Sequence, residues 1–576
     1  MSPTSRDAAP PARPGTAVPR TGIARPGRPD RPAAGGPPEH WDALVVGGGI
    51  AGLTAAWELT RAGLRPMLVE ARGYTGGLVA AGTIGGVRMD LGAEGFAVRG
   101  RAVTSMVDAL GLRVAGPKGG GARLFLPPRP GEPAQSPPAS SAGVPARGWR
   151  LHRFVRDAVL GIPAHPLADD VVAVIGRRAA ERAARDADMA GEVGTRPDDP
   201  ADLASFVRTR MGEGVLDRLT GPIVAGIHSS DPAVLAADAL APGLREDTAR
   251  LGSLQAAVGR ILERRRGRGR GKADATTAGG LTRLTDALRS AVEAAGGAVL
   301  TRTGAQWLRP VGRSGASSGS DDASDGAPLW EAALAPTGPG PTPSAEPVPV
   351  GPARLVRAPR VVLACSAPAA LRLLDGAGAI EEPAMPIPVG SPIARFTLVV
   401  RSPALADAPV GSGLLVADAG ADSDCPVGAK ALSHLSVKWP WIGADLTALH
   451  GPDAHALRLS YGRPGRPRPD VDLDLALADA RILTGVRIDP ADVIDSALVR
   501  WDGTLPPATP EHRERVRRLR SRVAELPGLA LTGAWVAGTG IAAVVEDARR
   551  QAVIASVCGT SSLPVTAAPT HHKERP

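Results

Sequence analysis

The feature that most constrains the fold of this chain is a glycine loop that directly follows a short apolar run. Residues 42–46 suit a buried parallel strand, and residues 47–52 follow at once with the spacing G-x-G-x-x-G. In this pattern Gly47 permits the tight turn, Gly49 lets the backbone approach a pyrophosphate, and Gly52 lets a helix pack closely on the strand. The loop therefore predicts an α/β domain that binds a dinucleotide.

The residues after the loop support this prediction. Ile50 and Ala51 begin a helix-competent stretch that runs to Arg61, and its first N–H groups can face phosphates. Residues 66–69 form a second apolar run that ends at Glu70. In this motif an acidic residue about 20 positions after the glycine loop binds the ribose hydroxyls. A plain glycine-rich turn is the alternative, and the ordered succession of strand, helix, strand and acid favours the nucleotide site.

The segment after Glu70 distinguishes between dinucleotides. Gly76 and Gly77 would let a loop cross close to the diphosphate, and an alternating strand then ends in an Asp-x-Gly at residues 90–92. This order resembles the amine-oxidase-like flavoprotein superfamily and predicts FAD, although Gly76 and Gly77 alone also fit an ordinary tight turn. Leu78 stands where many relatives carry Arg or Lys, so one phosphate contact is expected to be missing. The FAD contacts predicted here are Gly47, Gly49, Ile50, Ala51, Gly52, Glu70, Ala71, Arg72, Gly76, Gly77, Gly92 and Ala93.

The C-terminal part of the chain carries a second glycine-rich helix start. Residues 529–531 predict a strand, and a turn containing Gly538 and Gly540 leads at Ile541 into a helix that reaches about residue 557. A helix N-terminus beside a flavin stabilises negative charge on the reduced ring, typically by ~0.3–1 kcal/mol. Gly538, Gly540 and Ile541 are therefore predicted to approach the same FAD from the other end of the chain.

From residue 41 to residue 556 the chain resembles one branch of this superfamily, the oxygen-dependent porphyrinogen oxidases of haem synthesis. Each matching stretch is short, and their shared order makes the resemblance specific. The stretches are residues 90–99, 160–164, 217–227, 279–281, 432–439, 460–463, 500–501 and 505–506. The resemblance implies a split FAD domain, a mixed-sheet substrate domain and a helical lobe, with substrate bound between them.

The predicted fold class is accordingly α/β with an α+β substrate part. Composition and resemblance together predict an organisation with six parts. These are a disordered N-terminal extension at 1–39; a Rossmann-like FAD-binding domain at 40–100, 279–310 and 526–558; a mainly helical lobe at 101–278 with inserted loops at 116–148 and 264–278; a low-complexity insertion at 311–355, in which residues 329–334 suit a hairpin strand; a substrate-binding domain at 356–525; and a flexible tail at 559–576.

Periodicity predicts the main elements outside the nucleotide-binding segments. Helical spacing marks residues 201–219, 472–484 and 511–525, and short β-like runs occupy residues 355–365, 394–400, 413–416, 431–438 and 456–461.

The resemblance also implies a substrate and a reaction. Members with a Lys-Trp stretch, here at residues 438–439, resemble coproporphyrinogen III oxidases, whereas others act on protoporphyrinogen IX. The implied reaction removes six electrons from the porphyrinogen, with O2 becoming H2O2, and needs no catalytic side chain because the chemistry is centred on the flavin. Coproporphyrinogen has four carboxylates, so cationic partners are expected. The candidates are Arg99, His434, Lys438, Arg463 and Arg500, with Lys430 undecided; the cations also fit surface positions and His434 a buried core position.

Three other functions remain open from the sequence. Protoporphyrinogen IX oxidation is the nearest, and another enzyme of the same fold, an amine oxidase or a carotenoid desaturase, is the second. The chain has two tyrosines and five phenylalanines, which disfavours an aromatic cage for an amine. The third is a protein that binds FAD or a porphyrin without turnover.

Charge and cysteine content bear on partners and location. The net charge of +9 fits a nucleic-acid surface or a site for an acidic small molecule, but the basic run at residues 264–272 has no aromatic side chains and is expected to be a solvated loop. No nucleic-acid partner is therefore predicted. Cys365, Cys425 and Cys558 are far apart, so neither disulfides nor a metal site is predicted. The N-terminus lacks a signal peptide, so a cytoplasmic location is expected; peripheral membrane contact and haem-pathway protein partners stay open.

Overall fold

The computed structural model describes residues 37–98, 100–129, 148–267, 274–311, 329–342, 345–380, 387, 390–418, 420, 424–501 and 507–557. In chain order the strands are β1 Glu39–His40, β2 Ala43–Val46, β3 Pro66–Val69, β4 Ala81–Ile84, β5 Val87–Asp90, β6 Phe96–Ala97, β7 Val114–Ala115, β8 Ala122–Leu126, β9 Arg150–Arg153, β10 Ala158–Val159, β11 Ile162–Pro163, β12 Asp274–Thr277, β13 Ala298–Leu300, β14 Thr303–Pro310, β15 Trp330–Gly338, β16 Val348–Pro349, β17 Arg354–Ala358, β18 Val361–Leu363, β19 Ile393–Arg401, β20 Gly413–Val416, β21 Ala431–His434, β22 Ala454–Tyr461, β23 Val493–Trp501 and β24 Leu529–Leu531.

The helices are α1 Ile50–Arg61, α2 Ala102–Ala109, α3 Asp169–Ile175, α4 Arg177–Ala184, α5 Leu203–Met211, α6 Glu213–Val215, α7 Gly221–His228, α8 Ala237–Leu240, α9 Leu244–Leu251, α10 Leu254–Gly267, α11 Thr282–Ala294, α12 Ala367–Gly376, α13 Leu435–Lys438, α14 Pro440–His450, α15 Leu473–Thr484, α16 Pro510–Ala524, α17 Ala534–Ala537 and α18 Ile541–Val557. In the described part of the chain, no helix is both long enough and apolar enough to span a membrane.

A parallel sheet of five strands forms the centre of the first domain, in the order β13-β3-β2-β18-β24. Its strands are short and fully apolar, as expected where helices cover both faces. On one face Ala43 and Val45 pack with α1, α2, α11 and α18. On the other face Leu44 and Val46 pack with α12, α16 and the β14–β15–β17 strands. The structure confirms the α/β fold class and the predicted strands and helix at the glycine loop.

A second sheet of seven strands has the order β23-β19-β22-β21-β20-β8-β9. Its pairs are antiparallel except for β20 and β8, which are parallel. One face is buried in a large core that includes Phe396, Leu459 and the helices between α3 and α10. The second sheet and the helical region therefore share one core.

Strand pairing differs from the predicted boundaries at two places. β18 was assigned to the substrate-binding segment but lies in the parallel sheet between β2 and β24. β8 and β9, assigned to the helical lobe, extend the seven-stranded sheet. The hairpin strand expected at residues 329–334, within the low-complexity segment, is confirmed as β15, which pairs antiparallel with β14. Short apolar runs carry no local signal of which distant strand they will join, because pairing depends on packing.

Three predicted elements are interrupted. The helix expected at residues 201–219 ends at Gly212, whose φ of 86° lies in the left-handed region, and a π-helical turn at Leu216–Thr220 follows. The strand expected at residues 355–365 is split by Pro359, which has no N–H to donate to a sheet. The strand expected at residues 431–438 ends at His434, and the second half of that segment forms helix α13 instead.

Candidate active site

The first glycine loop joins β2 to α1, and neighbouring backbone atoms leave no room for a side chain at two of its three glycines. A Cβ atom on Gly47 would lie 2.7 Å from the carbonyl carbon of Ala364, and one on Gly52 would lie 1.8 Å from the carbonyl oxygen of Gly47. Gly49 differs, because a Cβ there meets no protein atom within 4 Å. The loop is therefore tight against β18 and the start of α1 but open at Gly49.

The second glycine pair crosses this opening. The N–H of Gly76 donates to the carbonyl of Gly48 at 2.8 Å, and Gly76 and Gly49 form an isolated parallel β-bridge. A Cβ on Gly77, whose φ is 60°, would lie 3.2 Å from the Cα of Gly49. Side chains at these positions would block the approach of the two backbones.

Glu70, at the end of β3, is held against the glycine loop. Its Oε2 accepts from the N–H of Gly48 at 2.7 Å and its Oε1 from the N–H of Arg72 at 2.8 Å. Burial raises the pKa of Glu70, and the two backbone donors oppose that rise. The intervening Ala71 carbonyl accepts from the hydroxyl of Thr337 at 2.6 Å. The carboxylate is therefore positioned, rather than free in solvent.

Gly92 and Ala93 follow β5 and contact Leu78, the residue directly after the second glycine pair. The N–H of Ala93 donates to the carbonyl of Leu78 at 2.9 Å, and a Cβ on Gly92 would lie 1.8 Å from that oxygen. Asp90, just before them, accepts from the N–H groups of Leu281 at 2.7 Å and Thr282 at 3.1 Å. Asp90 therefore caps the start of α11 and fixes the segment that carries Gly92.

The C-terminal glycines lie at the same edge of the parallel sheet. β2 leads into α1 and β24 leads through α17 into α18, and β18 is the single strand between them. Two strand spacings correspond to about 10 Å. α1 and α18 share one core, and a Cβ on Gly538 or Gly540 meets no protein atom within 4 Å. Ile541 is the first residue of α18. Tertiary structure thus brings both helix starts to one open region.

An ion network joins this region to the seven-stranded sheet. Glu94 accepts from Lys438 Nζ at 2.9 Å, from Trp439 Nε1 at 3.2 Å and from Arg458 Nη1 at 2.8 Å. Lys438 and Arg458, with Arg395 nearby, lower the pKa of Glu94 against the effect of burial, so it is ionised. Arg458 has a side chain only 2% exposed and also donates to the carbonyl of Asp90. The network therefore fixes the Gly92 segment against β22.

One face of the seven-stranded sheet is open in its middle. Cross-strand register places five partly exposed residues side by side on that face, and we call them the central strip: Arg395, Leu415, Ala431, Ser433 and Ser460. Their neighbours in the same strands, on the opposite face, are buried. Most strip residues are small, so they leave room above the sheet.

The central strip lies between the glycine-lined region and α7. Arg395 donates to the carbonyl of Gly92, and its guanidinium lies 5.8 Å from the ring of Trp501. At the other side a Cβ on Gly226 of α7 would lie 2.7 Å from Leu415 Cδ2, and Ile227 beside it is 60% exposed. The strip therefore lies between Gly92 and Trp501 on one side and α7 on the other, and we call this region the groove.

The structure describes four of the five predicted substrate residues and places them in different surroundings. Lys438 is near the groove but is paired with Glu94. Arg463 is partly buried, donates to the carbonyl of Val416 at 3.4 Å, and has a pKa lowered by burial. Arg99 lies outside the described residues.

The other two candidates point away from the strip. His434 pairs with Leu457 on the buried face of the sheet, and its Nε2 lies 3.4 Å from His455 Nδ1. Burial lowers the pKa of His434 to about 4, so it carries no charge for a carboxylate. Arg500 is exposed and pairs with Ala394, which places its side chain on the opposite face of the strand from Trp501. The interpretation of His434 as a core histidine is the one the structure favours.

The sequence motifs do not single out Arg395, Arg458 or Glu94. A signal for the two arginines does exist: each interrupts an apolar strand, in IARFTLVVR and AHALRLSY. Arginine is rarely buried unless it is paired, so an arginine inside a buried strand predicts an acid or a carbonyl opposite it. The identity of that partner, Glu94, required the fold.

Comparison with known proteins agrees with this architecture. Residues 45–110 match the family described as NAD(P)-binding Rossmann-like domain. The coproporphyrinogen III oxidase of Propionibacterium freudenreichii subsp. freudenreichii is 28% identical over 589 residues, which cover 94% of this chain and 96% of that protein. The coproporphyrinogen III oxidase of Mycobacterium tuberculosis (strain ATCC 25618 / H37Rv) is 29% identical over 536 residues, or 88% and 95% of the two chains.

Solved structures show the same fold. A protein from Exiguobacterium sp. 255-15, described provisionally as a protoporphyrinogen oxidase, superposes with a TM-score of 0.64 at 21% identity, over 90% of this chain and 99% of that one. Reduced UDP-galactopyranose mutase superposes with a TM-score of 0.54 at 14% identity, over 90% and 94%. The resemblance identified in the sequence is therefore confirmed: over nearly its whole length this chain is similar to coproporphyrinogen III oxidases, and it shares the fold of these solved structures.

Proposed function

We propose that this chain is a FAD-dependent coproporphyrinogen III oxidase, which converts coproporphyrinogen III to coproporphyrin III in haem biosynthesis with O2 as electron acceptor and H2O2 as co-product. The supporting observation is similarity to coproporphyrinogen III oxidases over nearly the full length of both chains, combined with a groove that opens beside a glycine-lined sheet edge.

The residues at that edge fit a bound FAD. Gly49 faces open space where the backbone can approach a diphosphate, and Glu70 holds a carboxylate beside it for the ribose hydroxyls. Gly538 and Gly540 leave space at the start of α18, whose N-terminal N–H groups stabilise negative charge at that position. When bound, FAD supplies the two-electron acceptor for the methylene bridges of the substrate and passes the electrons to O2.

The chain itself binds and orients the substrate. The central strip offers a flat floor of small side chains for a macrocycle, and the Gly92 wall keeps one edge of that macrocycle beside the flavin region. Arg395, with a pKa lowered by burial to about 10, remains protonated at neutral pH. The groove thus excludes water from one face of the substrate and presents positive charge to its carboxylates.

The test is direct. Purified protein should be yellow, release FAD on denaturation, and produce fluorescent porphyrin from coproporphyrinogen III in air. Six electrons leave in pairs, so three peroxides are expected for each porphyrin. A protein-free reaction measures autoxidation, and anaerobic bleaching of the flavin by the porphyrinogen separates turnover from binding alone.

Two outcomes would contradict the proposal at different levels. A colourless protein that takes up no FAD, or one that oxidises neither porphyrinogen, would exclude a porphyrinogen oxidase. A larger kcat/KM with protoporphyrinogen IX would change the substrate and leave the reaction type intact.

A further inference from the structure

Lys430 is a buried lysine just before β21. The residue is 3% exposed, and its Nζ donates to the hydroxyl of Ser229 at 2.7 Å. No carboxylate of the described residues forms an ion pair with this nitrogen within 4.0 Å. An ammonium group has three donors and no acceptor, so a single hydroxyl neither neutralises its charge nor occupies all its protons.

The charges around Lys430 are also positive. Burial is the main cause that lowers the pKa of Lys430 to about 7, and Arg395 and Arg463 add to it. Each arginine has an acid that acts on it, Glu94 on Arg395 and Asp418 on Arg463. Both acids are also paired with another cation, Glu94 with Lys438 and Asp418 with Arg466 at 2.6 Å. Lys430 itself has no such acid among the described residues. A buried ammonium without an acid partner is unfavourable, and it is the arrangement expected where an anionic ligand completes the site.

The position of Lys430 is fixed from both sides. Asp479 accepts the N–H groups of Gly428 at 3.2 Å and Ala429 at 2.8 Å, directly before Lys430. Ser229, which follows α7, is held at its carbonyl by the hydroxyl of Ser391 at 2.8 Å. Both partners of the Lys430–Ser229 contact are therefore anchored, which suits a site that must present its protons to a ligand.

Lys430 also adjoins the groove. Its N–H donates to the carbonyl of Ser460 at 2.8 Å, and the next residue is Ala431. Ser460 and Ala431 both belong to the central strip, and Ser229 belongs to the wall formed by α7. The backbone of Lys430 therefore adjoins the strip, and its Nζ reaches Ser229 at the end of α7.

We propose that Lys430, held by Ser229, binds a propionate carboxylate of the substrate at the α7 side of the groove. The inference rests on the proposed function and adds to it the residue that recognises the acidic periphery of the macrocycle. A hydrogen bond to a charged group contributes about 1.5–3 kcal/mol, which corresponds to roughly a 10- to 150-fold change in affinity.

The experiment measures equilibrium binding of coproporphyrin III and of its tetramethyl ester by fluorescence titration. In Lys430→Met the Kd for coproporphyrin III should rise at least tenfold, and the Kd for the uncharged ester should stay within twofold of wild type. Arg401→Met, which removes an exposed cation at the far end of β19, should change neither value. In turnover, Lys430→Met should raise KM for coproporphyrinogen III much more than it lowers kcat.

Failure of the inference is distinguishable from failure of the proposed function. If wild type oxidises coproporphyrinogen III but Lys430→Met binds coproporphyrin III with unchanged Kd, Lys430 is a structural residue and the inference is wrong. If wild type binds and oxidises no porphyrinogen, the proposed function itself is wrong. Flavin content and thermal unfolding report whether each variant folds. If Lys430→Met does not fold, Ser229→Ala provides the same comparison, with a smaller selective loss of coproporphyrin III affinity expected.

Discussion

Gly49→Ala separates cofactor binding from folding in this protein. The backbone at Gly49 has φ −69° and ψ 177°, which alanine adopts freely, and the added Cβ meets no protein atom within 4 Å. The substitution should therefore stabilise the apoprotein by about 0.4–1 kcal/mol, because it restricts the unfolded chain. The same methyl group should collide with the diphosphate of FAD, and overpacking of this size costs about 1–3 kcal/mol.

The two effects have opposite signs and can be measured on one variant. The Kd for FAD, from flavin fluorescence quenching, should rise by roughly 5- to 150-fold. Urea unfolding without FAD should show a more stable variant. At an FAD concentration about 100-fold above the wild-type Kd, where binding contributes about 2.7 kcal/mol to wild type, this advantage should be lost or reversed.

A matched control and a contrasting variant complete the test. Gly259→Ala in α10 also meets no protein atom within 4 Å, so it should stabilise both forms and leave the FAD Kd unchanged. Gly52→Ala places a Cβ 1.8 Å from the carbonyl oxygen of Gly47 and should destabilise even the apoprotein. An unchanged FAD Kd in Gly49→Ala would refute the assignment of this loop to the diphosphate.

Two further predictions concern charge and pH. Glu94→Gln leaves Lys438 and Arg458 without their shared carboxylate and should lower the unfolding free energy in urea by about 3–5 kcal/mol. Because the pKa of Glu94 is lowered in the folded state, this difference should be full above about pH 4.3 and shrink as pH falls below it; a difference that stays constant to pH 3 would exclude the ion network as its cause. His434 has its pKa lowered to about 4, so only the unfolded chain takes up its proton between about pH 6.5 and pH 4, and stability should fall over that interval by roughly 3 kcal/mol from this residue. His434→Leu should flatten the curve of unfolding free energy against pH, and equal slopes in the two proteins would contradict this interpretation.

Local chemistry in the sequence was sufficient to predict the nucleotide-binding elements. An apolar run followed by G-x-G-x-x-G specifies strand, turn and helix over a few consecutive residues, and the structure has β2 at Ala43–Val46 and α1 at Ile50–Arg61. Glu70 was also predictable because it directly ends the next strand. Within these segments each residue acts on its sequence neighbours, so no knowledge of distant packing was required.

Pairing between distant strands could not be predicted in the same way. Val361–Leu363 has the composition of any buried strand, and only packing places it between β2 and β24. The same holds for Ala122–Leu126, which joins β20 across the helical segment. The free energy that selects such partners comes from side chains far apart in the chain, and a short apolar run does not encode them locally.

The sequence by itself therefore determined that two glycine-rich helix starts exist and what each can approach. Tertiary structure decided that they meet at one sheet edge, and which charges face the groove. Lys438 and Arg500 look alike as isolated cations in the sequence. In the fold Lys438 pairs with Glu94 whereas Arg500 is exposed on the other face of its strand. Whether a charged side chain serves a ligand depends on what surrounds it in space, and that environment is assembled only when distant segments pack.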